Sequence, residues 1–151
     1  MDASTIAVLL AAGGGTRFAG PTHKLAARLG GRTVAAWAVQ AALDAAIGPV
    51  VVVTGAIPGS DLELPLGVTE LRNERWAQGQ ASSLQRAVSH AVDARATAVV
   101  VGVADQPLVP PEAWRLVAAC TERPICTAAF DGERRPPVRL RADAAVLLRA
   151  V

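Results

Sequence analysis

The residues best suited to chemistry lie in a glycine-rich stretch near the start of the sequence. Gly13-Gly14-Gly15-Thr16-Arg17 follows an apolar run, and Lys24 comes shortly afterwards. Glycines let a backbone turn sharply and bring its N–H groups close to a phosphate, whose charge Arg17 and Lys24 can neutralise. Fourteen of the fifteen basic residues are arginine, so Lys24 is the only lysine in the chain. Together these features predict a phosphate-binding loop.

Three other interpretations of this loop differ in how well they fit its spacing. A dinucleotide-binding fingerprint needs a glycine where Phe18 stands, and an acidic residue at the end of the second strand, which instead ends in Thr54-Gly55. A Walker A loop needs Lys followed by Ser or Thr where Pro21-Thr22 stand. Both interpretations fail. A plain glycine-rich surface turn stays open as the third.

Apolar strands and amphipathic helices alternate along the chain. Continuous apolar runs such as Val50–Thr54 are typical of strands buried on both faces of a parallel sheet. The pattern predicts a single domain over residues 1–151, an α/β fold of Rossmann-like type with a mostly parallel sheet in a three-layer α/β/α sandwich. The predicted strands are Thr5–Ala12, Val50–Thr54, Val68–Arg72, Thr97–Val103, Ile125–Phe130 and Val138–Leu140, and the predicted helices are Val34–Ala46, Ala81–Ala94, one starting at Pro110-Pro111, and Ala142–Val151.

Three polar segments follow predicted strands: residues 13–24, 73–83 and 104–107. Ligands of such sheets bind outside the carboxyl ends of the strands, so we expect these segments to meet there. Asp105 directly follows a buried strand. Mg²⁺ usually takes one or two carboxylates together with substrate phosphates and water, which makes Asp105 a candidate metal ligand. The alternative is that Asp105 caps a turn before Pro107.

Composition excludes several classes of protein. Hydrophobic residues make up 52% and charged residues 19%, which excludes a disordered chain, and no apolar run is long enough for a membrane span. A net charge of +2 is too weak to indicate a nucleic-acid surface. The N-terminus lacks the basic region of a signal peptide, which predicts a cytoplasmic protein. Cys120 and Cys126 are too few for a disulfide scaffold or a four-ligand metal site and are predicted to be buried structural thiols.

Four motifs occur in order along nearly the whole chain. They are Leu10-Ala11-Ala12-Gly13-Gly14-Gly15-Thr16-Arg17-Phe18 followed by Lys24, then Asn73-x-x-Trp76-x-x-Gly79-Gln80-x-x-Ser83-Leu84, then Ala104-Asp105-Gln106-Pro107-Leu108, and last Arg135-Pro136-Pro137-Val138. The series resembles the MobA-like nucleotidyltransferases. Within that family, Leu-Ala-Ala-Gly and Gly-Gln-x-x-Ser-Leu are more similar to the molybdenum cofactor cytidylyltransferase branch than to the guanylyltransferase branch.

The resemblance implies a role for each motif. The 13–17 loop would wrap a triphosphate, Lys24 would reach the α-phosphate, Arg17 would hold the β- and γ-phosphates, and Asp105 would carry Mg²⁺. Arg17, Lys24 and Asp105 are thereby the implied catalytic residues. The implied nucleotide-binding residues are Leu10, Ala11, Ala12, Gly13, Gly14, Gly15, Thr16, Gly79 and Ser83, the last two against the base or ribose.

The implied reaction moves CMP from CTP to a phosphorylated acceptor, by resemblance molybdopterin, with release of pyrophosphate. A molybdoenzyme or its chaperone is the implied protein partner. A phosphate that attacks is already anionic near neutral pH, so no histidine or serine base is needed. Alternatives are guanylyl transfer, a sugar or polyol phosphate acceptor, or a non-catalytic nucleotide-binding module. The last is favoured by the absence, before Val151, of the Gly-Asp-x-Gly-Ala-Arg segment that members usually carry.

Expectations can also be stated for four further residues. His23 is expected to line the glycine-rich loop and His90 to be an ordinary helix residue. Asn73 has a second interpretation as a simple turn residue, and Trp76 as a core aromatic.

Overall fold

A computed structural model describes residues 4–14 and 23–150 of the chain and contains a six-stranded sheet. The strands, including those of a short separate hairpin (β2–β3), are β1 (Thr5–Ala11), β2 (Arg28–Leu29), β3 (Arg32–Thr33), β4 (Val50–Thr54), β5 (Val68–Arg72), β6 (Ala98–Val103), β7 (Ile125–Phe130) and β8 (Glu133–Arg141). The α-helices are α1 (Val34–Ala45), α2 (Gln80–Asp93), α3 (Pro111–Ala119) and α4 (Ala142–Ala145). Short 3₁₀ helices cover Lys24–Ala26, Gly59–Leu62, Trp76–Gln78 and Val146–Ala150.

The central sheet has the order β5-β4-β1-β6-β8-β7. β1 pairs in parallel with both β4 and β6, and β5 continues the parallel half beside β4. β8 runs antiparallel to β6 and to β7, which is the outermost strand on that side. The predicted α/β fold with a mostly parallel sheet is confirmed.

Helices cover both faces of this sheet. Alternate residues of β1 enter different clusters: Leu9 packs with residues of α1 and α3, whereas Val8 packs with residues of α2 and α4. Each face of β1 is thus buried against helices, which explains why its sequence is apolar without alternation. The predicted three layers are therefore present.

The C-terminal third differs most from the predicted elements. Instead of a short strand over Val138–Leu140, β8 spans nine residues and forms a hairpin with β7. Asp131 and Gly132, with φ of 52° and 81°, supply the tight turn that such a hairpin needs. The ladder shifts register beyond Thr127 so that Pro136 and Pro137 have no partner on β7, because proline has no N–H to donate.

The predicted terminal helix over Ala142–Val151 is also wrong in extent. α4 is a single turn, and a 3₁₀ helix over Val146–Ala150 follows it, while Val151 lies outside the described residues. Arg141 donates two hydrogen bonds to Asp143 at the start of α4. This contact lowers the pKa of the Asp143 carboxyl below its ordinary value.

Cys120 and Cys126 form a disulfide bond, so the prediction of free buried thiols is wrong. α3 ends at Ala119 and β7 begins at Ile125, and this short return brings the two Cα atoms to 6.3 Å, within the usual range for a disulfide. Their apolar surroundings gave no indication of the pairing, which depends on the helix-to-strand return.

Arg139 is a buried cation in this otherwise apolar region. The residue is 6% exposed, and its Nε and Nη1 atoms have no hydrogen-bond partner among the described residues. Its neighbours across the sheet are Val100 and Cys126, neither of which has a charge to offer.

Among the described residues, no helix has the length and apolar character required to cross a membrane.

Candidate active site

The polar segments that follow β1 and β6 meet at one edge of the sheet. Leu10 stands opposite Val103 in the parallel ladder, and the Ala104 N–H donates to the Leu10 carbonyl at 3.0 Å. Parallel neighbours end at the same side, so the glycines after β1 and the carboxylate after β6 are brought together. Gly13 and Asp105 both line a cleft at this edge.

Lys24 and Asp105 form an ion pair across that cleft. The Nζ atom of Lys24 donates to Oδ2 of Asp105 at 2.8 Å, with the two side chains 44% and 38% exposed. Lys24 opens the 3₁₀ helix after the glycine-rich segment, and the adjacent Leu25 is buried in the core below. The only lysine of the chain and the carboxylate that follows β6 therefore share one site.

His23 joins the two ends of the glycine-rich segment. Its Nε2 atom lies 2.8 Å from the carbonyl oxygen of Gly13. Its Nδ1 atom accepts from the N–H of Leu25 at 3.1 Å and so caps the 3₁₀ helix that carries Lys24. The strand exit and the lysine-bearing turn are thereby connected by a single side chain.

A second cleft adjoins the first and is lined by small residues and one aromatic. Its wall is made by Leu10, Ala12, Gly13, Gly14, Trp76, Ala77, Gly79, Gln80 and Ser83. Gly55, at the end of β4, supports this wall: a Cβ there would lie 2.4 Å from the Cβ of Trp76 and 2.8 Å from the carbonyl oxygen of Ala12. The absence of a side chain at Gly55 therefore permits the close packing behind the cleft.

Asn73 anchors the start of α2 from below the cleft. It is 3% exposed, and its Nδ2 atom donates to the hydroxyls of Ser82 and Ser83 at 2.9 Å each. Its own N–H donates to the Thr54 carbonyl at 2.7 Å, and its side-chain oxygen accepts from the Arg75 N–H. Asn73 is thus a buried positioning residue that ties α2 to the end of β4.

The structure groups most, but not all, of the residues singled out by the sequence. The second cleft is lined by six of the implied nucleotide-binding residues: Leu10, Ala12, Gly13, Gly14, Gly79 and Ser83. The first cleft is lined by Lys24 and Asp105, together with Leu10 and Gly13. Ala11 is instead buried in the core at 2% exposure. Ser83 is also 2% exposed, with its hydroxyl held by Asn73. Gly15, Thr16 and Arg17 lie outside the described residues.

Three cleft features were not assigned to the site from the sequence. Gln80 lines both clefts, and Trp76 is half-buried in the wall of the second rather than in the core. His23 connects the loop ends, although it was expected only to line the loop. Gln80 and Trp76 stand inside a recognised motif and could have been found there. His23 stands outside every motif, and only the fold shows its partners.

The family model described as "MobA-like NTP transferase domain" matches residues 7–151. In sequence, no curated protein is significantly similar to the chain.

Several solved structures resemble the fold closely. A nucleotidyl transferase from Methanothermobacter thermautotrophicus superimposes with a TM-score of 0.82 at 29% identity, covering 97% of this chain and 74% of the other. Rv0371c from Mycobacterium tuberculosis gives 0.84 at 22% identity over 99% and 78% of the two chains; a second structure of Rv0371c is a complex with manganese. A CMP:2-keto-3-deoxy-manno-octonic acid synthetase in complex with CTP gives 0.74 at 13% identity, covering 95% of this chain and 76% of the other.

Proposed function

The chain belongs to the MobA-like NTP transferase family, and from that premise we propose that it transfers CMP from CTP to a phosphorylated acceptor with release of pyrophosphate. Nucleotidyl transfer follows from the family. The choice of CTP is supported by the Leu10-Ala11-Ala12-Gly13 and Gly79-Gln80 motifs, which both contribute residues to the second cleft. Molybdopterin is the acceptor we propose, on the resemblance of the motifs to the cytidylyltransferase branch.

The observation that carries the proposal is the juxtaposition of Lys24 and Asp105 beside Gly13. Transfer of a nucleotidyl group builds negative charge on the phosphates, and catalysis consists mainly of positioning and charge neutralisation. Lys24 would neutralise charge at the α-phosphate. α2 begins at Gln80, which lines the same cleft, and has no side-chain cap, so its positive end would face the triphosphate.

The reaction needs no general base from this chain. An oxygen of the acceptor phosphate attacks the α-phosphorus of CTP, one P–O bond forms, and the bond from the α-phosphorus to the bridging oxygen breaks. Pyrophosphate leaves with that electron pair. His23, the histidine in the cleft, has both ring nitrogens in hydrogen-bond contact with backbone groups, so we assign it no proton transfer.

A divalent ion, proposed to be Mg²⁺, fits the donor set only together with the nucleotide. The described residues contain no group of three or more His, Cys, Asp or Glu side chains that could hold a metal by themselves. Asp105 offers one hard, half-exposed carboxylate, and triphosphate oxygens and water would supply the remaining ligands. When bound, the ion would add positive charge opposite Lys24. The manganese complex of Rv0371c supports a divalent ion at this type of fold.

Pyrophosphate release from CTP and Mg²⁺, measured with and without molybdopterin, tests the proposal. We expect acceptor-dependent release that requires both Lys24 and Asp105. Release with a sugar or polyol phosphate but not with molybdopterin would change the acceptor and leave the reaction type in place. Tight CTP binding without pyrophosphate release in the presence of any phosphorylated acceptor would overturn the proposed enzymatic activity. The protein would then be a nucleotide-binding module.

A further inference from the structure

The contacts of His23 define how its ring is protonated. Nδ1 lies 3.1 Å from the backbone N–H of Leu25 and therefore accepts. Nε2 lies 2.8 Å from the carbonyl oxygen of Gly13 and therefore donates. An imidazole that accepts at one nitrogen and donates at the other is the neutral form with its proton on Nε2.

These two contacts span the glycine-rich segment from end to end. Gly13 belongs to the exit of β1, and Leu25 to the 3₁₀ helix whose first residue is Lys24. Leu25 is 4% exposed and fixes that helix to the core, so the helix can move little relative to the sheet. The ring of His23 therefore ties the carbonyl of Gly13 to a helix that is itself fixed to the core.

We propose that His23 is a positioning residue for the triphosphate. By joining Gly13 to the 3₁₀ helix that begins at Lys24, it holds the backbone of Gly13 and the turn that carries Lys24 in one arrangement before the nucleotide arrives. The inference rests on the proposed function, because the triphosphate is the ligand it positions against. His23 acts through Gly13 and Lys24, so it is not itself a catalytic residue.

Two substitutions, each of which retains one hydrogen bond of the ring and removes the other, separate the two contacts. The amide nitrogen of glutamine reaches about as far as Nε2, so His23→Gln retains a donor for the Gly13 carbonyl. Asparagine is a good N-cap residue, so His23→Asn retains the acceptor for the Leu25 N–H but is too short for Gly13. His23→Ala loses both contacts. His90→Ala, which removes the other histidine of the chain, is the matched control.

Calorimetric titration with CTP and with CMP, each with Mg²⁺, tests the proposal on the full chain. One lost hydrogen bond corresponds to a change of up to roughly tenfold in an equilibrium constant. We expect His23→Ala to weaken CTP binding roughly tenfold or more and CMP binding less than about threefold, since CMP presents only one of the three phosphates that the site is proposed to hold. His23→Gln should recover most of the CTP affinity, and His23→Asn should resemble His23→Ala.

A merely structural role predicts a different pattern. If His23 only supported local folding, His23→Ala would weaken CTP and CMP alike, and Asn would rescue as well as Gln; either result overturns the proposal, as does unchanged CTP binding by His23→Ala. Should His23→Ala fail to fold, the comparison of His23→Gln with His23→Asn decides. Long-range ¹H–¹⁵N spectra of the wild-type ring supply an independent readout and should show the proton on Nε2.

Failure of the proposed function would be distinguishable. If the wild-type protein binds no CTP, the function and the positioning role both fall, whatever the spectra show. If the wild-type protein binds CTP and the variants do not differ, only the role of His23 falls.

Discussion

Lys24 and Asp105, which stand 81 positions apart in the sequence, are joined by a 2.8 Å ion pair at the carboxyl edge of the sheet. Each carries a charge that the proposed reaction uses: the ammonium would neutralise the phosphates, and the carboxylate would bind the metal ion. In this arrangement the two charges offset one another. On the proposed function, binding of the nucleotide with its metal would exchange this pair for a lysine–phosphate and a carboxylate–metal contact.

Replacing Lys24 by alanine should lower turnover far more than stability. Loss of one charge-stabilising donor in an active site costs roughly 10²–10³ in rate, whereas an exposed ion pair contributes only about 0–1 kcal/mol to folding. Lys24→Arg should recover only part of the rate, because a planar guanidinium does not replace a compact ammonium. Pyrophosphate release and thermal melting are the measurements, with exposed Arg86→Ala as the control for lost charge. Near wild-type turnover in Lys24→Ala would remove the basis of the site assignment.

Replacing Asp105 by asparagine should separate metal-dependent from metal-free behaviour. We expect Mg²⁺-dependent turnover to disappear, since Asp105 is the one carboxylate we assign to the metal. Metal-free CTP binding should stay the same or strengthen, because Lys24 loses its competing partner and the cleft loses a negative charge. Titration with CTP in the presence of a chelator measures this, with exposed Asp93→Asn as the control. Retained Mg²⁺-dependent turnover would show that another group binds the metal.

CTP should bind more tightly than GTP. Trp76 stands against the backbone at Gly55, where even a Cβ atom would approach to 2.4 Å, so this wall has no room to move back for a purine. Parallel titrations with both nucleotides and Mg²⁺ provide the comparison. Tighter GTP binding would assign the protein to guanylyl transfer.

Replacing Arg139 by methionine should stabilise the protein. A buried guanidinium loses hydration, and two of its nitrogens find no partner among the described residues. Replacement of buried ionic groups by apolar side chains of similar volume is often neutral or stabilising, by up to about 4 kcal/mol in the case of ion pairs. Chemical denaturation of Arg139→Met should thus show a higher midpoint, whereas Arg134→Met, at an exposed position of the same strand, should not. A lower midpoint for Arg139→Met would mean that the guanidinium has a stabilising partner.

The parallel half of the sheet could be predicted because its strands are apolar on both faces. Val50–Thr54 has no polar residue before its last position, and such a run is compatible with few structures other than a buried strand. The position of Asp105 followed in turn, since a residue after a buried parallel strand must lie at the carboxyl edge. The roles of Arg17, Lys24, Asp105 and the nucleotide-binding set stay predictions.

The antiparallel half could not be predicted in the same way. The first part of β8, Glu133-Arg134-Arg135-Pro136-Pro137, carries charge and proline and is typical of an exposed loop. Its strand conformation comes from the tight turn before it and from pairing with β7. Neither the backbone conformation of that turn nor the pairing can be read from the local hydrophobic pattern. The partners of His23 and the disulfide of Cys120 are of the same kind: each depends on a neighbour that only the folded chain supplies.

The position of β7 at the outer edge of the described sheet bears on how the protein behaves at high concentration. Its six residues, Ile-Cys-Thr-Ala-Ala-Phe, include no charged residue and no proline. Charged residues and proline are what proteins commonly place on edge strands to prevent them from pairing with one another. The outward N–H and C=O groups of β7 are therefore a template on which another chain can add as a strand. Aggregation through this edge should increase with concentration, and a lysine in place of exposed Ala129 should reduce it.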